Sequence, residues 1–110
     1  MNEAEINHDC TKALRQSVIQ ALRPLFGNGY EGWIKEDLLF DILYRFATGL
    51  TPRDVHEAAV YCECQGFAES RTRPRLKGEP KITDWRITAK GINLLEGNIE
   101  ADPGIRDNRA

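Results

Sequence analysis

Apolar residues keep a helical spacing as far as Gly66 and change period after it, which limits the chain to helices followed by a hairpin. Leu14, Val18, Ala21, Leu22 and Leu25 share one face of a helix expected over Asp9–Phe26. Pro24 kinks or closes it, and the run Gly27, Asn28, Gly29 ends it. Trp33 and Ile34 read as a minimal strand. A second helix over Lys35–Phe46 carries the stripe Leu38, Leu39, Ile42, Leu43 and Phe46. The third helix has an explicit start signal. Thr51 is a good N-cap, Pro52 fits the first helical position, and Asp54 stands as the acidic third residue of a capping box. It runs to Gln65, with Gly66 just past its end. Only Ala47–Leu50 separates helices two and three, as in a compact helix–turn–helix.

Beyond Gly66, Phe67–Arg71 and Lys81–Thr88 read as two strands of a long hairpin. Pro74, Gly78 and Pro80 lie in the loop between them. Thr88 then caps a short helix with Ile92, Leu94 and Leu95, closed by Gly97. The fold class expected is α+β: a three-helix core, a β-hairpin and a short C-terminal helix. Residues 9–97 make one domain, with flexible tails at 1–8 and 98–110.

At 110 residues, 41% of them apolar, the chain can bury a core without disulfides or metal. No apolar run approaches the roughly 18 residues of a membrane helix. The polar, acidic N-terminus reads as neither signal nor transit peptide. Three cysteines, an odd number, read as reduced thiols in a cytoplasmic protein.

The stretch Trp85, Arg86, Ile87, Thr88, Ala89, Lys90, Gly91, Ile92, Asn93, Leu94, Leu95 resembles a segment of PadR-like and MarR-like bacterial regulators. In them an aromatic-x-aliphatic-Thr-x-x-Gly-x-x-Leu-Leu pattern carries the second wing strand into the closing helix. Val55–Phe67 is similar to the end of their recognition helix. The order of elements is likewise that of the winged helix-turn-helix superfamily, which includes small bacterial and prophage proteins. The resemblance covers Asp9–Gly97. It implies a small transcriptional regulator that binds double-stranded DNA without a cofactor. The third helix would enter the major groove, and the wing would lie on the backbone or minor groove. Many relatives dimerise, so a homodimer is a further implication.

The charge is uneven. The net charge is −2 overall, but residues 68–87 hold six basic and three acidic groups. Arg71, Arg73, Arg75 and Lys77 alternate around the expected wing tip and suit phosphates and narrow minor grooves; a solvated, solubilising loop is the other reading. Residues 52–67 hold one basic and three acidic groups. At about 100° per residue, Val55, Ala58, Ala59 and Cys62 form the core face of the third helix. Arg53, Glu57, Val60, Tyr61 and Cys64 lie opposite. Only Arg53, with Thr51 and His56 near the helix start, is equipped to read bases. The DNA-contact set expected is therefore Thr51, Arg53, His56, Arg71, Arg73, Arg75 and Lys77. The acidic helices favour a second reading, a winged helix used for protein–protein interaction.

Other chemistry finds little footing. On a helix Cys62 and Cys64 stand about 200° apart and cannot chelate one ion, so no metal site is expected. There is no phosphate loop, histidine cluster or nucleophile elbow, so no catalytic residues are expected. Trp33 and Trp85 read as core, with stacking on a base or partner as the alternative.

Overall fold

The computed structural model describes residues 3–23, 32–73 and 81–106, with side chains from Cys10 onward. Along the chain come α1 (Glu3–Leu22), β1 (Ile34–Lys35), α2 (Glu36–Tyr44), α3 (Pro52–Cys64), β2 (Ala68–Arg73), β3 (Ile82–Ile87) and α4 (Ala89–Glu96). The fold is α+β, with four helices and one three-stranded antiparallel sheet among the described residues. The strand order is β1-β3-β2.

Local signals explain most boundaries. Thr51 Oγ1 accepts from Asp54 N, and an Asp54 carboxylate oxygen accepts from Thr51 N, closing a capping box at the start of α3. Thr88 Oγ1 accepts from Gly91 N at the start of α4 and donates to the Gly66 carbonyl. That second bond ties the end of α3 to the end of the hairpin. Gly91 has no substitute here, because a Cβ on it would stand 2.3 Å from the Phe67 carbonyl oxygen. α4 can lie this close to the β2 entry only with glycine at that position.

The core forms where α1, α2 and α3 meet the inner face of the sheet. Val18, Ile19, Leu22, Leu39, Val55, Ala59 and Cys62 are fully buried. Ile34, Ala68, Trp85 and Ile87 close it from the sheet side. Ile34 pairs with Trp85, and Ala68 with Ile87, so the four share the inner face.

Several expectations need correction. α1 begins at Glu3, so residues 3–8 are helical and not a tail. Glu3 and Glu5 suit the positive end of a helix dipole, and nothing before Pro24 breaks the helix. The C-terminal boundary also moves outward. Ile105 is buried, Arg106 N donates to the Lys12 carbonyl, and Arg15 Nη1 donates to the Gly104 carbonyl at 3.0 Å. Residues 98–106 are thus a packed strap on α1; residues 107–110 lie outside the described residues. α2 ends at Tyr44, so Phe46 leaves the helical register and stands 85% exposed. Leu38 faces outward as well, because it cannot share the inner face with Leu39 and Leu43. On α4 the buried leucine is Leu94, with Leu95 only half-buried.

Candidate nucleic-acid interface

Five of the seven residues singled out for DNA contact are described, and they fall into two groups. Arg75 and Lys77 lie outside the described residues. Thr51, Arg53 and His56 line the first half of α3, and each already has a partner. The Thr51 hydroxyl serves the capping box. Arg53, with a side chain 86% exposed, gives its Nε to Glu57 at 2.9 Å. His56 Nδ1 lies 2.7 Å from Glu36 Oε1, which also accepts from Trp85 Nε1 at 2.9 Å. Glu36 at the start of α2 thereby ties α3 to β3. At the other end of α3, Glu63 accepts from both the backbone N and the hydroxyl of Ser70. That carboxylate is a structural tie to β2. Tyr61, expected on the open face, packs against the strap. Arg15 lies 3.7 Å over its ring, and its hydroxyl donates to Asp102 at 2.7 Å. Burial and this bond raise the Tyr61 pKa.

The second group sits on the outer face of the sheet. Alternation places Glu69, Arg71 and Arg73 of β2 and Ile82, Asp84 and Arg86 of β3 on that side, opposite Trp85 and Ile87. In β1, Lys35 pairs with Asp84, so Lys35 shares this face. Asp84 is its anchor. Although on the outer side, it is 1% exposed, because Arg71 and Arg73 cover it. Arg73 donates through Nε and Nη2, and Arg71 through Nε at 3.0 Å. The bonds from Arg73 hold the Asp84 carboxyl below the usual carboxylate range; those from Arg71 add to this, and burial opposes it. Trp33 lies over the same patch, with the Arg71 and Arg86 guanidinium carbons each 4.5 Å from its ring centroid. Arg86 is paired in turn with Glu69.

This clustering brings three arginines to two carboxylates and one indole. Arg71 is held by its Nε and by the Trp33 ring, and its terminal nitrogens make no hydrogen bond among the described residues. A guanidinium fixed at its inner edge and open at its outer edge is suited to a bidentate phosphate contact. Asp84 and Arg86 were not singled out from sequence as parts of a site, and Trp33, expected in the core with stacking as the alternative, is only half-buried and lies on the outer face against the arginines. The signal that could have found Asp84 and Arg86 is the strand alternation of Asp84 with Trp85. Using it required the register, and β2 runs two residues beyond the Arg71 limit expected for it.

Cys62 is buried on the core side of α3, where desolvation pushes its thiol up to about 12, while Cys10 and Cys64 are exposed. Among the described residues no group of His, Cys, Asp or Glu is placed to hold a metal ion. None of the described helices is long and apolar enough to cross a membrane. No family model matches the chain, and neither the curated proteins nor the solved structures include a match.

Proposed function

We propose that this chain is a winged helix-turn-helix protein of the cytoplasm that binds double-stranded DNA, as a small transcriptional regulator acting without a cofactor or catalysis. The order α1-β1-α2-α3-β2-β3 with sheet order β1-β3-β2 supports the winged-helix reading. So does the turn of a few residues between α2 and α3. In this reading the hairpin supplies the electrostatic grip. The observation that carries it is Arg71, anchored on buried Asp84 and on Trp33, with its terminal nitrogens unbonded among the described residues and so suited to fork a phosphate. α3 adds a modest major-groove contact from Arg53, released from Glu57 when the groove offers a better partner. Exposed pairs of that kind are worth about 0.2–1 kcal/mol, so the exchange costs little.

The test is fluorescence anisotropy on a mixed-sequence duplex across a salt series. Binding should weaken steeply with salt, and Arg71→Ala should weaken it on every duplex alike. Wild-type protein with no salt-dependent binding at micromolar concentration would refute the reading. A second reading then takes its place, a winged helix that docks a protein partner or a second copy of itself. It is favoured by the exposed apolar side chains Leu38, Tyr44 and Phe46 on α2 and just past its end.

A further inference from the structure

Of the three residues at the start of α3 expected to meet DNA, His56 alone is held from the core. Its side chain is 49% exposed, and its Nδ1 donates to Glu36 Oε1 at 2.7 Å. The same oxygen accepts from Trp85 Nε1 at 2.9 Å, and Trp85 is buried. The imidazole and indole rings also meet directly, at an angle of 69° with centroids 6.3 Å apart. A buried indole thus fixes the carboxylate, and the two together fix the imidazole. Thr51 uses its hydroxyl in the capping box, and Arg53 leans only on Glu57 of its own helix.

This arrangement selects which imidazole nitrogen is bare. A carboxylate only accepts, so in the neutral ring the proton sits on Nδ1 and Nε2 is left as an acceptor. With Nδ1 turned to Glu36, Nε2 leaves the ring on its far side, and it makes no hydrogen bond among the described residues. Three positions along a helix leave Arg53 and His56 about 60° apart, on one face. In the major groove adenine N6 and cytosine N4 offer donors, whereas guanine O6 and thymine O4 offer acceptors. We propose that His56 Nε2 accepts from the exocyclic amine of an adenine or cytosine, and that Glu36 is the positioning residue that keeps it an acceptor. Arg53, which carries donors only, takes the opposite kind of base edge beside it. The inference rests on the DNA-binding reading and gives it a base preference.

Selection of duplexes from a randomised library by the full chain tests it, at about pH 8, where imidazole is neutral. Wild type should enrich adenine or cytosine at one position of one strand, and guanine placed there should weaken binding about fivefold. His56→Ala should erase that preference and keep the one due to Arg53, which guards against a folding defect. His56→Arg, with donors only, should reverse the preference to guanine. Glu36→Gln should keep it, because the buried Trp85 N–H draws the amide oxygen to the same place, and Glu36→Ala should lose it. The proposal is overturned if the His56-dependent base in wild type is guanine or thymine. It is equally overturned if wild type binds with salt dependence but enriches no position, or enriches the same sequence as His56→Ala. Absence of salt-dependent binding to the whole library would instead refute the DNA-binding reading, and this inference with it.

Discussion

On α3 the cation Arg53 leans on Glu57 and is 86% exposed, whereas on the hairpin Arg71 and Arg73 converge on a carboxylate that is almost wholly buried. Both regions show arginine paired with acid, yet the pairs do different things. The α3 pair is a loose surface contact that solvent and salt screen. The hairpin pairs orient two guanidinium groups in a site their own side chains shield. Local charge counting sees only that α3 is acidic and the hairpin basic. Partnership decides how much of that charge can be presented to a ligand, and in which direction. Asp84 takes one charge from the hairpin and in return holds Arg71 in place beside Trp33.

Removing Asp84 should break the contrast most visibly. Asp84→Asn should cost about 1–3 kcal/mol in chemical denaturation, because a buried acceptor of charge-assisted bonds is lost and two arginines are left adjacent. The half-exposure of those arginines keeps the cost below that of a fully buried pair. The same substitution sharpens the pH behaviour. The Asp84 carboxyl is held below its ordinary value, so its contribution is present at neutral pH and is lost as pH falls below about 4. Wild-type stability should drop across that acid range more steeply than that of Asp84→Asn. Equal slopes would mean that the hairpin pairs are as loose as the α3 pair. The smallest effect belongs to Arg53→Ala, which should change stability by less than about 0.5 kcal/mol. A larger loss would show that Arg53 is a structural residue.

Much of this scaffold was legible in the sequence, and the reason is chemical. Thr51 with Asp54, Gly66, Thr88 and Gly97 are signals that act within a few residues, and each stands where local reasoning places it. The core faces of α3 and β3 follow from period alone. What escaped depends on contacts distant in sequence. The strap reads as a polar tail because Ile105 is its one large apolar residue besides Ile99. Its order comes from Arg15, Lys12 and Tyr61, more than forty positions away in the chain. Phe46 fell outside the helical stripe because α2 ended one residue pair earlier than periodicity implied. The site was legible as a basic hairpin. The convergence of Arg71 and Arg73 on Asp84 was not, because it requires a cross-strand register.

The claim that the hairpin supplies the grip and α3 little of it is tested most directly by the salt dependence of duplex binding in wild type, Arg71→Ala and Arg53→Ala. Each phosphate contact contributes close to one unit to the log–log slope. The account predicts that Arg71→Ala flattens the slope by about one unit on every sequence. Arg53→Ala should leave that slope nearly unchanged and cost about 1–3 kcal/mol on a preferred site alone. An unchanged slope in Arg71→Ala, with the loss appearing in Arg53→Ala instead, would contradict it.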